Sequence, residues 1–252
     1  MIYINHNSAI EQLQNIVDSS FQRTINYMPT EFNEQQHHAL ELLKKRIFLE
    51  EIVEESVAFN RGLNWEKTNE NLKLISTVEE LIEVFKLRSD IYTNIGYQDE
   101  FPDTIEGLNF DIYDKNAGIL FYTSNSKITG TTRLIFDSVN KLPSESKVSF
   151  SGFRKQYETI GELSRLIVSK EKKGLTLEFK YLMQGIHKLF MNNKIDITFL
   201  AIKKEHYKMY EKFGGNNIIE EMAGYGKIDY EAYLLSWDPS LASNFFKRTF
   251  LR

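Results

Sequence analysis

The run Ile160-Gly161-Glu162-Leu163-Ser164-Arg165-Leu166-Ile167-Val168 sets one carboxylate and one guanidinium into a stretch that is otherwise apolar or small. Such a pair has two ordinary uses. A carboxylate kept dry can take a proton from a substrate, or the two charges can brace a sheet as an ion pair. The residues leave both open. In a flat strand, side chains two apart share a face and side chains three apart do not, so Glu162 and Arg165 meet on one face only across a bulge. The run then passes into Ser169-Lys170-Glu171-Lys172-Lys173-Gly174-Leu175-Thr176, a lysine-ringed turn that opens an amphipathic helix. Unpaired backbone N–H groups at a helix start, flanked by lysines, suit a phosphate.

Four further charges, Arg88, Asp111, Asp114 and Arg133, include both signs, two of each. Buried unpaired charge is costly, so they are expected to pair into a network. Glu50, Glu51, Glu54 and Glu55, with His37 and His38 nearby, read as a solvated helix face, because a carboxylate metal site needs two Glu-x-x-His motifs and Glu34 to His37 has no second one to pair with. No metal is expected. His187, mid-helix between Ile186 and Leu189, is assigned no role. Gly-x-Ser-x-Gly, Gly-x-Gly-x-x-Gly and P-loop patterns are absent, which leaves no motif for serine hydrolysis, dinucleotide binding or nucleotide hydrolysis.

Positioning these residues requires a folded scaffold, and 252 residues at 42% apolar and 26% charged supply one. Without cysteine there is no disulfide, thiol nucleophile or thiolate metal site. Nothing approaches 18 consecutive apolar residues, so no transmembrane helix is expected. The start, Met1-Ile2-Tyr3-Ile4-Asn5-His6, lacks the basic and apolar regions of a signal peptide, and a cytoplasmic location is the expectation. Net charge is −4; residues 1–75 carry 7 Lys/Arg against 11 Asp/Glu, and the remainder balances. That argues against a nucleic-acid surface spanning the protein.

Residues 1–75 read as a helical extension that packs against or lids the rest of the chain, with Leu49, Ile52, Val53 and Val57 at helical spacing. Residues 76–252 form the second region. Ser76 or Thr77 can cap a helix that has Glu79 or Glu80 in its first turn, with Val78, Leu81, Ile82 and Phe85 behind the cap. A polar loop over 93–109 is long enough to be functional. Strands are expected at 119–122 and 128–136, joined by a Ser-Asn-Ser turn, and residues 138–156 read as irregular. The charged strand comes next, then a helix striped by Leu175, Phe179, Leu182, Met183, Ile186 and Leu189. A strand at 196–202, a short helix at 203–213 stopped by Gly214-Gly215, strands near 217–223 and 228–236, and a helix after Pro239 complete the chain. The pattern is a mixed α/β or α+β sheet flanked by helices.

In this order, Arg88, Tyr92, Tyr97, Asp111-Ile-Tyr-Asp114, Gly130-Thr-Thr-Arg133-Leu134 and Glu162-Leu-Ser-Arg165 resemble the acyl-homoserine-lactone (autoinducer) synthases and the related N-acyl amino acid synthases, over roughly residues 78–236. The resemblance implies a GNAT-like fold, an α/β (α+β) mixed sheet flanked by helices, and an acyltransferase. It implies acceptor contacts from Arg88, Tyr97, Asp111, Asp114, Arg133 and Arg165, where a network of both signs suits a zwitterion. It implies Glu162 as the general base, acting through water, and Lys170, Lys172, Lys173, Gly174, Leu175 and Thr176 as the donor-binding turn. Tyr210, in a Tyr-x-x-x-Gly helix end, would protonate the departing thiolate; the bland reading of a tyrosine there is core. The donor would be a fatty acyl thioester of acyl-carrier protein or CoA, a co-substrate and not a permanent cofactor, and the acceptor the amine of an amino acid or related metabolite. Tyr97 stands where the autoinducer synthases usually carry tryptophan, and the single glycine of the turn leaves room for a carrier-protein donor. Lys203, Lys204 and Lys208 join the turn lysines either as a basic rim for phosphopantetheine and an acidic carrier protein, or as a solvated face. The alternatives are an autoinducer synthase acylating S-adenosylmethionine, or a non-catalytic GNAT-like module binding an acyl ligand or partner.

Overall fold

The structure, a computed structural model, describes residues 4–24, 32–67, 69–169 and 176–252, with the backbone alone for 19–24. Two helices come first, α1 (Ile10–Thr24) and α2 (Glu34–Gly62). Asn33 starts α2 with a reciprocal cap, its side chain accepting from the Gln36 amide while the Gln36 side chain accepts from the Asn33 amide. Strand β1 (Leu72–Leu74) comes next, so the segment ahead of residue 76 also supplies an edge of the sheet. Helix α3 (Val78–Asn94) is capped by Thr77 and Glu80 in the same reciprocal way. Its buried stripe is Leu81, Val84, Phe85, Arg88, Ser89 and Tyr92, the spacing of one helix face. Arg88 therefore occupies a core position.

Strands β2 (Ala117–Ser124) and β3 (Lys127–Phe136) form a hairpin whose two turn residues, Asn125 and Ser126, both have positive φ, the geometry that matches strand twist. Residues 138–156, expected to be irregular, hold a 3-10 turn (Pro143–Ser146) and a short helix α4 (Ser151–Gln156). Strand β4 (Ile160–Val168), helix α5 (Leu177–Asn192), strand β5 (Ile197–Lys203), helix α6 (Tyr207–Glu211), strands β6 (Asn216–Met222) and β7 (Ala232–Trp237) and helix α7 (Asn244–Phe250) complete the order. Gly214 and Gly215, both at positive φ, end α6 as expected.

The seven strands make one mixed sheet in the order β1-β2-β3-β4-β5-β7-β6, antiparallel except for β4 and β5. Both faces are covered, which is why β2 is buried from Ala117 to Tyr122. Its Leu120 and Tyr122 join the α5, α6 and α7 side with Met183, Ile186, Leu189, Phe213 and Phe246. Its Ala117, Ile119 and Phe121 join the α2 and α3 side with Ile52, Val57, Leu81 and Phe85. Helix α5 lies close on the sheet: a Cβ on Gly185 would sit 2.7 Å from Leu120 Cδ1. The feature that makes room for a site is a fork. Parallel pairing of β4 and β5 runs from Ile160 and Ile197 to Leu163 and Leu200. Beyond it β4 continues with β3 alone as far as Val168, and β5 with β7 alone as far as Lys203.

Helix α2 is tied to this sheet by Asn60, 1% exposed. Its Nδ2 donates to the Ala117 and Ser56 carbonyls, each at 2.8 Å, and its Oδ1 accepts from the Ile119 amide at 2.8 Å. Replacing Asn60 by Ala strands two buried backbone groups of β2. We expect a loss of about 2–4 kcal/mol, read as a lower denaturation midpoint in urea at unchanged m-value.

Candidate active site

The fork opens into a cavity of about 960 Å³, in the size range of small-molecule sites. Its walls include Glu162 to Val168 of β4 and Leu200 to Lys203 of β5, with Asp111, Arg133, Tyr97, Thr176 and Tyr210.

Arg133 and Thr131 of β3 pair with Ser164 and Ile167 of β4, so β4 contains one extra residue over that interval. The extra residue is accommodated at Arg165, whose φ is +54°. A left-handed backbone costs a non-glycine residue about 1–2 kcal/mol. The bulge lies between Glu162 and the end of β4, and both Glu162 and Arg165 line the cavity.

The two do not pair. Arg165 Nη2 donates to Asp111 Oδ2 at 2.9 Å, and its guanidinium lies 4.3 Å from the centre of the Phe101 ring. Arg133 holds the same carboxylate with two bonds, Nη1 to Oδ1 at 2.7 Å and Nη2 to Oδ2 at 2.9 Å, while its Nε donates to Ser164 Oγ at 2.9 Å. Arg133 Nη1 also lies 2.8 Å from Asp114 Oδ1, which takes a 2.8 Å bond from Arg88 Nη1. The other Asp114 oxygen accepts from the Asp111 amide at 3.0 Å. These four charges and Arg165 thus form one network of three arginines and two aspartates. Arg88 and Asp114 have fully buried side chains and stand behind the cavity wall instead of lining it. Burial pushes the Asp111 carboxyl up, but Arg133 and Arg165 outweigh it and hold the group well below the usual carboxylate range.

Glu162, 2% exposed, has a different partner: its Oε2 accepts from the Ser144 amide at 2.9 Å and its Oε1 from Ser144 Oγ at 2.8 Å. Burial raises its pKa from an ordinary 4.5 to about 7, against the pull of the Ser144 bonds, Arg133 and Lys147. Burial wins because no guanidinium bonds this carboxylate. It is a dry carboxyl poised to gain or lose a proton near neutrality. Tyr210 faces the cavity, and burial pushes its phenol above the ordinary tyrosine value, so it stays protonated.

Thr176 lines the cavity and caps α5, its Oγ1 accepting from the Phe179 amide at 3.2 Å. Lys170, Lys172, Lys173, Gly174 and Leu175 lie outside the described residues. Lys203 lines the cavity, 4.8 Å over the Tyr230 ring and 5.6 Å over Tyr97. Lys204 pairs with Glu221 and Glu231, and Lys208 is exposed. Sequence reasoning missed Ser144, Lys147, Glu100, Phe101, Tyr225 and Tyr230. Tyr225 and Tyr230 sit in the β6–β7 loop, where Lys147 Nζ lies 3.4 Å over the Tyr225 ring and the Lys227 amide donates to Glu100 Oε2 at 2.6 Å. Their one sequence signal is a pair of tyrosines around Gly224 and Gly226. Among the described residues no group of three or more metal-ligating side chains could hold an ion, and no helix is long and apolar enough to cross a membrane.

The family described as N-acyl amino acid synthase FeeM matches residues 83–238. No curated protein matches the sequence. Among solved structures the chain is similar to FeeM, an N-acyl amino acid synthase from uncultured soil microbes, at 16% identity and a TM-score of 0.54, over 71% of this chain and 93% of that one. It is similar to the CoA-dependent acyl-homoserine lactone synthase BjaI at 16% identity and 0.52, over 68% and 80%. It is similar to the AHL synthase LasI at 16% identity and 0.51, over 71% and 93%. These likenesses carry the fold, and the expected GNAT-like mixed sheet flanked by helices is what the chain adopts.

The carboxyl of Glu162 predicts a pH dependence of stability. Its folded pKa lies above the unfolded value, so its contribution is complete below about pH 4.5 and is lost as pH rises through about 7, by up to about 3 kcal/mol. Asp111 acts with the opposite sign and only at the acid end. Urea midpoints of the wild type should fall between pH 5 and 8, whereas those of Glu162→Gln should stay nearly flat.

Proposed function

The chain belongs to the N-acyl amino acid synthase FeeM family and is an acyltransferase. From that premise we propose that it moves a fatty acyl group from an acyl-carrier-protein or acyl-CoA thioester to the amine of an amino acid or related metabolite. The observation that carries the reading is Glu162, a dry carboxyl titrating near neutrality in the wall of the forked sheet. Glu162, through a water, takes the proton from the acceptor ammonium. The freed amine attacks the thioester carbonyl; the N–C bond forms, the C–S bond breaks, and the departing sulfur takes the Tyr210 phenolic proton. The new amide nitrogen sheds its second proton, which returns through solvent to the Tyr210 phenolate, and Glu162 releases its own proton to solvent. The products are an amide and a thiol.

The acceptor lies against Tyr97, Asp111, Arg133 and Arg165, with Arg88 and Asp114 holding that wall from behind. Because Asp111 is already engaged by two guanidinium groups, the network offers its surplus positive charge to an acceptor carboxylate. The donor thioester enters where β4 and β5 part, with Thr176 at its phosphate end and Lys203 at the rim. Carrier protein is the donor this reading favours, by the lysines and the single Gly174.

Glu162→Gln should lower turnover 10²–10⁴-fold, measured as thiol release together with the mass of the N-acyl product. Turnover near the wild-type rate would remove the base role, and a lactone formed from S-adenosylmethionine would reassign the acceptor. Tyr210→Phe should leave acceptor binding unchanged and slow turnover; no change would return Tyr210 to the core. Raising salt should inhibit the reaction with acyl-carrier protein steeply and that with acyl-CoA little. Equal inhibition of the two would remove the carrier-protein rim.

A further inference from the structure

We propose that Ser144 is a positioning residue whose backbone N–H aims the Glu162 carboxylate and whose hydroxyl sets the pH at which it works, and that the 143–146 turn exists to hold Ser144 there. The inference rests on Glu162 being the general base. The geometry is specific. One residue gives both of its donors, the backbone N–H and the hydroxyl, to the two oxygens of one carboxylate at 2.9 and 2.8 Å. A two-point grip fixes the plane of the carboxyl as a single bond does not. Ser144 is 3% exposed, so water does not compete for these bonds.

The turn itself is clamped from outside. The Leu142 amide donates to Glu145 Oε2 at 3.0 Å, which closes the turn. Arg154 of α4 then ties it to the end of β3: its Nε and Nη2 reach the two Asp137 oxygens at 2.6 and 2.7 Å, and its Nη1 reaches Glu145 Oε1 at 2.6 Å. Four groups besides Ser144 face Glu162 electrostatically: Arg133 from β3, Lys147 from the end of the turn, Tyr113 from the 3-10 turn at Ile112–Asn116, and Tyr225 from the β6–β7 loop. These four act on the carboxylate through space, whereas Ser144 bonds it directly, twice. Donors to a carboxylate favour its ionised form, so losing the hydroxyl makes the proton harder to remove.

The Glu162 carboxyl can be watched by carbon-13 NMR of glutamate-labelled protein, assigned with Glu162→Gln, alongside the pH dependence of kcat/KM. Ser144→Ala should raise the NMR midpoint by about one pH unit. In the rate profile, kcat/KM should drop about tenfold well below the midpoint and stay within about twofold on the alkaline plateau. Ser144→Cys, close in shape but a weak donor, should fall between the two and keeps the test alive if the alanine variant folds poorly. Arg154→Ala, which touches neither Ser144 nor Glu162, should move both readouts in the same direction by less. An unmoved NMR midpoint in both Ser144 variants, or a rate lost equally at every pH, would overturn the inference. An NMR midpoint that moves while the rate profile does not would leave Ser144 in control of the carboxyl and remove Glu162 as the base.

Discussion

Three guanidinium groups and two carboxylates meet where α3, the 3-10 turn at Ile112–Asn116, β3 and β4 come together; Arg88, Asp114 and Arg133 are withdrawn from water, Asp111 and Arg165 face the cavity, and the buried three are tolerable only because of their partners. Desolvating any one alone would cost several kcal/mol. Together they fix the mutual position of four chain segments. Arg88, on the core stripe of α3, has to find Asp114; Asp114 accepts from the Asp111 amide and orients that residue; Asp111 then takes Arg133 and Arg165. The cavity wall is the outer surface of this network, so its shape comes from charge pairing made one layer deeper.

The same neighbourhood holds two carboxyl groups with opposite fates. Asp111 meets three N–H groups from two arginines and stays ionised far into acid. Glu162, one strand away, meets only a serine and keeps its proton up to neutrality. Environment, and not the acid itself, leaves one permanently ionised and the other able to exchange a proton near neutrality. The fork between β4 and β5 supplies the remaining requirement, an opening into a sheet whose faces are otherwise both covered.

Much of this was legible in the residues. Apolar runs bounded by turn residues located the strands, the Thr77 and Glu80 cap located α3, and the mixed signs of Arg88, Asp111, Asp114 and Arg133 announced a network. The bulge was legible only as a condition, since strand periodicity shows that Glu162 and Arg165 conflict but not how the chain resolves it. Who pairs with whom was not legible at all. Glu162 and Arg165 look like natural partners by proximity, yet Arg165 is turned to Asp111, 54 residues away, and Glu162 to Ser144. Ser144 lies in a stretch whose composition reads as irregular, and its importance comes from tertiary placement. The tyrosines of the β6–β7 loop were invisible for the same reason: an aromatic residue in a turn gains meaning only from what it is folded against.

The left-handed backbone at Arg165 has an evolutionary consequence. The position must tolerate a positive φ, which favours glycine or asparagine, and must also carry a guanidinium for Asp111, which neither can supply. Two demands that point to different residues leave almost no accessible substitution, and the arginines and aspartates bound to it inherit that rigidity. Tyr97 and Tyr230, which line the cavity without a hydrogen bond to these charges, carry no such double demand.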